Sequence, residues 1–190
     1  MPQTKGTKDP NDVVQLLLQQ HVRIRELFEE VANTKGEERK ERFHELVRLL
    51  AVHETAEEEV VHPFARKNIQ GGEHVVKDRI DEEEKAKKAL SKLDDMDPDS
   101  PEFLDRFAAL RQDVLAHADA EERHEFAHFN EVADRSRLET LGRAVKAAEA
   151  VAPTRPHPGT DSAAKNIAAG PVSAVVDRTR DVIRKATGKT

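Results

Sequence analysis

Apolar residues recur at helical spacing in four long stretches of the chain. Residues three and four positions apart lie on one face of an α-helix, so this spacing predicts amphipathic helices. The predicted helices run over about 12–32, 37–62, 73–93 and 101–132. Short turn signals at 33–36, 71–72 and 94–100 separate them. Long helices joined by short turns predict an all-α fold, an up-down-up-down four-helix bundle.

Further segments extend beyond this bundle. Ser136 and Glu139 match a capping box, which predicts a fifth helix to about Val151. Prolines mark a linker after it, and a basic amphipathic stretch over 172–186 predicts a short tail helix. The predicted organisation is a leader (1–10), the bundle (11–133), an additional helix (134–152), a linker (153–171) and a tail (172–190).

The composition supports a helical protein. Apolar residues make up 37% of the chain and charged residues 36%, while Trp and Tyr are absent. Because there is no cysteine, disulfides and thiolate metal sites are excluded. No apolar run approaches the length of a membrane span, and the N-terminus lacks the apolar core of a signal peptide. A cytoplasmic location is the resulting prediction.

Charge is distributed unevenly. The net charge is −6, but residues 153–190 carry seven basic and three acidic side chains, which leaves residues 1–152 near −10. An acidic body predicts no nucleic-acid partner. The basic tail is a weak signal for docking on a partner or on another copy of the chain.

Two pairs of polar residues interrupt the apolar faces. His53 and Glu57 are four residues apart and therefore project together, and His117 and Glu121 repeat the spacing on another helix. Burying these groups is costly unless something pairs with them. A metal centre explains both pairs at once, whereas packing alone does not.

Two further helices each contribute a candidate ligand. His21 lies on the apolar stripe of the first helix, and Glu83 lies on that of the third. The predicted metal ligands are therefore His21, His53, Glu57, Glu83, His117 and Glu121. Mixed nitrogen and oxygen donors suit iron or manganese, and six ligands favour two ions, because one zinc needs about four.

Simpler interpretations exist for each residue alone. A lone histidine such as His21 is often a hydrogen-bonded core residue, and Glu83 stands in an acidic run typical of a solvated face. Only the conjunction of four helices favours a metal site. Glu54 points about 100° away from His53 on a helix, so its role stays open. His62 is undecided too, and His124 is a candidate for lining a channel to the site.

These residues carry a family resemblance. Residues 12–133 resemble the hemerythrin-like HHE cation-binding domains, especially the actinobacterial type, through His21, His53-Glu54-x-x-Glu57 and His117-x-x-x-Glu121. The resemblance implies a four-helix bundle with an oxo- or hydroxo-bridged di-iron centre, in which Glu57 and Glu121 bridge the ions. Oxygen-carrying hemerythrins place histidines on the third helix, where this chain offers Glu83. Simple oxygen transport is therefore disfavoured.

Three hypotheses about function follow. The first is a di-iron protein that binds or reduces a small oxidant, namely O₂, hydrogen peroxide or nitric oxide. The second is a di-iron sensor or iron-binding module without turnover. The third is a metal-free bundle, in which the histidines only hydrogen-bond the neighbouring carboxylates.

Overall fold

The computed structural model describes residues 11–152, which form helices joined by short turns. The helices are α1 (Val13–Asn33), α2 (Gly36–Ala56), α3 (His62–Asn68), α4 (Gly72–Asp94), α5 (Pro101–Glu121), α6 (Ala127–Val132) and α7 (Arg135–Glu149). Within this range, π-helical segments at Glu57–Val61 and Glu122–Phe126 join α2 to α3 and α5 to α6. No helix in the described range is long and apolar enough to cross a membrane. The predicted leader, linker and tail lie outside the described residues.

The described helices confirm the all-α bundle. The rods are α1, α2 continued by α3, α4, and α5 continued by α6, and α7 follows them. Side-chain caps fix the starts of α1 and α5. Asp12 accepts hydrogen bonds from the amides of Val14 and Gln15, and Ser100 accepts one from the amide of Phe103.

Two local predictions need correction. The second rod does not end near His62, because it continues through Pro63 to Asn68. Pro63 lies in the first turn of α3, where a missing N–H is tolerated. The fifth helix begins at Arg135, since the carboxylate of Asp134 accepts the hydrogen bond from the Arg137 amide at 2.8 Å. Asp134 is therefore its N-cap, in place of the predicted Ser136.

Buried apolar residues form separate clusters at the two ends of the described bundle. One cluster contains Phe28, Phe43 and Phe103 with their aliphatic neighbours. The other contains Phe64 and Phe129, and α7 contributes to it. The candidate metal ligands lie on each rod between the positions that supply the two clusters. A layer of polar side chains thus separates two apolar cores.

Helix α7 packs against α1, α2, α6 and the first π-helical segment. Gly142 allows this close approach, because a Cβ there would overlap the carbonyl oxygen of Asn11 just before α1. The fifth helix is thereby held against the bundle near the polar layer.

Candidate metal centre

The six predicted ligands meet in the polar layer. His21, His53, Glu57, Glu83 and Glu121 are each at most 3% exposed, and the His117 side chain is 13% exposed. The Nε2 atoms of His21 and His53 are 3.2 Å apart. The Nε2 atoms of His21 and His117 each lie 3.4 Å from an oxygen of Glu121, and Nε2 of His53 lies 3.3 Å from Glu57. The structure therefore brings these side chains together from all four rods.

Among the described residues, the donor atoms form two overlapping groups. One group contains His21, His53, Glu57 and Glu121, and the other contains Glu57, Glu83, His117 and Glu121. Within each group the ligand atoms all lie within 4.8 Å of one another. Glu57 and Glu121 belong to both groups, which is the placement that carboxylates bridging two cations require.

Each histidine of the layer turns the same nitrogen inward. The Nδ1 atoms face outward and each has a partner. Nδ1 of His21 lies 2.9 Å from Glu122, Nδ1 of His53 lies 2.7 Å from Gln20, and Nδ1 of His117 lies 2.9 Å from Glu82. Such contacts orient a metal-binding imidazole and turn its Nε2 toward the proposed cation. The three Nε2 atoms point to the shared carboxylates.

The inward carboxylates lack hydrogen-bond partners. Within the described part of the chain, neither oxygen of Glu57 nor of Glu121 is satisfied, and Oε2 of Glu83 is also without a hydrogen bond. A buried acceptor without a donor costs about 1–3 kcal/mol, more when charged. A cation removes this penalty, so the donor set fits a metal ion.

The electrostatics of the layer also favour a cation. Burial lowers the pKa of His53 to about 3, so its imidazole is neutral and can offer a lone pair to a cation. Burial and the nearby Glu121 raise the pKa of Glu57 well above its ordinary value. The pKa of Glu121 lies well below its ordinary value, because contacts with His117 and His21 outweigh the opposing effect of burial.

His62 and Glu125 extend the cluster beyond the predicted set. His62 Nε2 lies 2.6 Å from Glu83 Oε1, and its Nδ1 lies 3.5 Å from Glu125. Both side chains are at most 1% exposed. The pKa of His62 is raised well above its ordinary value, because the two carboxylates outweigh its burial. His62 thus forms a cationic link that orients Glu83.

The π-helical segments explain why spacing did not identify these residues. His62 follows Glu57 by five positions, about one turn of a π-helix but more than one turn of an α-helix. The second segment turns Glu125 inward and leaves His124 exposed. His124 is exposed and is not among the residues that line the cavity next to the polar layer, so the structure does not support its candidate place in a channel.

Glu54 is buried but stands beside the donor groups. It is 4% exposed, and Lys87 Nζ lies 3.9 Å from it and 4.0 Å from Glu83. Lys87 also contacts Glu58. Burial raises the pKa of Glu54 to about 8. Glu54 therefore carries a proton at neutral pH and is not a member of either donor group.

A cavity of about 190 Å³ reaches the polar layer. His53, Glu54, Glu83 and His117 line its polar side. The remaining wall includes the apolar side chains of Ile24, Leu50, Ala86, Val114 and Ala118. The cavity gives a small molecule a route to the donor atoms.

A helical bundle that gathers imidazoles and carboxylates in a buried layer is a metal-binding protein. The family profile of the hemerythrin HHE cation-binding domain matches residues 12–129. The chain belongs to this family, as the sequence motifs predicted.

Two individual proteins are similar to this chain. A solved hemerythrin HHE cation-binding domain-containing protein from Mycobacterium kansasii has a TM-score of 0.65 and 20% identity, over 92% of this chain and 98% of that one. This likeness shows the fold. A protein from Nostoc sp. described as a DNA nickase is 28% identical over 148 residues, 77% of this chain. The match spans only 42% of that protein's length, and the name describes that longer protein.

Proposed function

We propose that the polar layer holds two iron ions and that the protein binds or reduces a small oxidant, such as hydrogen peroxide, O₂ or nitric oxide. The observation that supports this most is the pair of donor groups sharing Glu57 and Glu121. Mixed imidazole and carboxylate donors suit iron. When bound, the iron pair would supply the redox chemistry, and the protein supplies geometry and environment.

The residues of this chain have distinct roles in the proposal. His21, His53, Glu57, Glu83, His117 and Glu121 are the proposed ligands. Anionic oxygen donors stabilise the oxidised metal, so Glu83 favours reduction of an oxidant over reversible oxygen carriage. His62 hydrogen-bonds Glu83 and orients it, and Glu125 contacts the other ring nitrogen of His62.

The cavity supports a small oxidant as the ligand. Apolar side chains form much of its wall, and a wall of low polarity strengthens electrostatic interactions inside the cavity. Glu54 lines the cavity and keeps a proton on its carboxyl group at neutral pH. In this proposal, Glu54 would supply the proton that reduction of the oxidant consumes.

The first experiment measures metal content and turnover together. Full-length protein is loaded with Fe²⁺ without oxygen, and iron is quantified by elemental analysis. We expect about two ions per chain. After exposure to air, we expect a near-ultraviolet band and hydrogen peroxide consumption faster than with the same amount of free iron.

His117→Gln removes a proposed ligand, and His128→Gln is the matched control, because His128 is exposed and its Nδ1 contacts Glu131 away from the polar layer. We expect His117→Gln to lose iron and turnover and His128→Gln to retain both. Equal iron content in the two variants contradicts the site. Iron binding with turnover no faster than free iron rejects the enzymatic proposal and favours the sensor or iron-binding module.

A further inference from the structure

The fifth helix reaches the polar layer although it lies outside the segment that matches the family. The match ends at residue 129, and α7 spans Arg135–Glu149. The carboxylate of Glu149 accepts a hydrogen bond from Nε2 of Gln20 at 2.5 Å. The carbonyl oxygen of the same amide lies 2.7 Å from Nδ1 of His53. One glutamine therefore connects α7 to a proposed ligand.

The direction of these hydrogen bonds follows from the carboxylate of Glu149. An ionised carboxylate only accepts hydrogen bonds, so the NH₂ group of Gln20 must face Glu149. Its carbonyl oxygen then faces His53 and accepts a hydrogen bond, which requires the proton on Nδ1. The lone pair of His53 is consequently on Nε2, toward the carboxylates.

His53 depends on a residue beyond its direct partner, namely Glu149, whereas His21 and His117 do not. His21 and His117 meet carboxylates directly, those of Glu122 and Glu82, and a carboxylate always accepts. An amide offers either a donor or an acceptor, depending on how it is rotated. Gln20 alone therefore does not determine the tautomer of His53.

We propose that Glu149 and Gln20 are positioning residues of the metal centre, through which α7 sets the tautomer of His53 and presents its Nε2 lone pair to the cation. The part concerning the cation rests on the proposed function. The tautomer itself is a property of the metal-free protein and is measured separately.

The first measurement is ¹⁵N–¹H NMR of the histidine rings in metal-free, full-length protein, with His53 assigned by the loss of its signals in His53→Asn. In the wild-type chain we expect His53 protonated on Nδ1. Glu149→Gln replaces the obligate acceptor by an amide, so Gln20 can rotate. In that variant we expect a new population of His53 protonated on Nε2.

A matched control and a swap separate positioning from packing. Glu139→Gln makes the same change on α7 at a residue that contacts Arg135, away from the polar layer, and we expect no change there. The swap Gln20→Glu with Glu149→Gln restores an obligate acceptor next to His53. We expect the swap to restore the Nδ1-protonated form.

The second measurement is Fe²⁺ affinity, determined by competition with a chelator in the absence of oxygen. Loss of the outer partner of a ligating histidine weakens metal binding about 10–100-fold, so we expect a loss in this range for Glu149→Gln. The swap should recover affinity to within about threefold, well inside that loss.

An unchanged His53 spectrum in Glu149→Gln would overturn the proposal. The proposal would also be overturned if Glu149→Gln lost Fe²⁺ affinity and the swap did not restore it, because Glu149 would then act only through packing. If the wild-type chain binds no Fe²⁺ but its tautomers respond as expected, the proposed function fails and the positioning of His53 stands.

Discussion

Glu57 illustrates how a single side chain of this site is suited to a cation and poorly suited to the metal-free protein. It is fully buried, and neither of its oxygens is hydrogen-bonded within the described residues. Burial and the charge of Glu121 raise its pKa, so the metal-free protein keeps this carboxyl group protonated. In the proposed centre, metal binding would displace that proton, and Glu57 and Glu121 would then hold the cations together.

Glu57→Gln should therefore separate stability from metal binding. Glutamine matches the shape and neutrality of the protonated glutamate, so we expect the unfolding free energy of the metal-free protein to change by less than about 1 kcal/mol. Saturating wild-type protein with iron at about 100 times the dissociation constant should add about 2.7 kcal/mol of stability for each ion bound, and the variant should lose this gain. Denaturant titrations with and without iron measure both quantities. Glu59→Gln, a neighbour outside both donor groups, is the control and should retain the gain. An iron-dependent gain that persists in Glu57→Gln contradicts its assignment as a bridge.

At the scale of elements, the π-helical segments determine which residues enter the polar layer. One segment begins at the buried Glu57, and the other begins directly after the buried Glu121. The wider π-helical turn changes the register of each rod, so that His62 and Glu125 face inward, where His62 contacts both Glu83 and Glu125. Single π-turns within α-helices are frequent at functional sites, and here they add an outer layer of support to a ligand.

His62→Ala should reveal this support as stability. The imidazolium of His62 is the hydrogen-bonded partner of Glu83 and lies near Glu125, so its removal leaves buried carboxylates uncompensated. Breaking a buried pair in this way costs about 3–5 kcal/mol. Urea denaturation of metal-free protein tests this value. His128→Ala removes an exposed ion pair and should cost less than about 1 kcal/mol. Equal effects of the two substitutions would contradict the role of His62.

The same elements show what the sequence could predict. Apolar spacing predicts the rods, and the i,i+4 pairs His53–Glu57 and His117–Glu121 are enough to find the centre, because an α-helix connects each pair. The π-turns change this register, because His62 follows Glu57 by five positions and Glu125 takes the inward place that α-helical spacing from His117 gives to His124, so the sequence did not identify His62 and Glu125. Gln20 was missed for a different reason: its contacts with α7 depend on tertiary packing, which helical periodicity does not contain.

At the scale of the whole molecule, a charged layer lies between two apolar cores of the described bundle. Burial of unpaired polar groups opposes folding, and proteins tolerate such cost at functional sites. The stability of the metal-free protein should therefore depend strongly on protonation. The metal-bound protein should depend on pH in the opposite sense, because ligands must lose protons to bind a cation.

The pH dependence can be derived from groups whose pKa is raised on folding. The pKa of His62 and that of His117 are raised well above 6.5, since nearby carboxylates outweigh burial, and burial raises the pKa of Glu54 to about 8. Between pH 6.5 and 8 the folded state therefore holds protons that the unfolded chain has released. Their stabilising contribution is complete below the unfolded pKa and is lost as pH rises through the folded pKa.

We expect the melting temperature of metal-free protein to fall from pH 6.5 to pH 8.5, and the shift produced by iron to grow over the same range. Thermal unfolding followed by circular dichroism, with and without iron, gives both trends. His62→Gln should flatten the fall in the metal-free protein. A metal-free protein that becomes more stable toward pH 8.5 would contradict the protonation states assigned to this layer.

The central claim is that side chains from four rods hold a pair of cations, and anomalous diffraction tests it most directly. Crystals of iron-loaded protein measured on both sides of the iron absorption edge should show two peaks in the polar layer. One peak should adjoin His21 and His53, the other should adjoin Glu83 and His117, and Glu57 and Glu121 should lie between them. A single peak, or iron bound only outside this layer, would contradict the account.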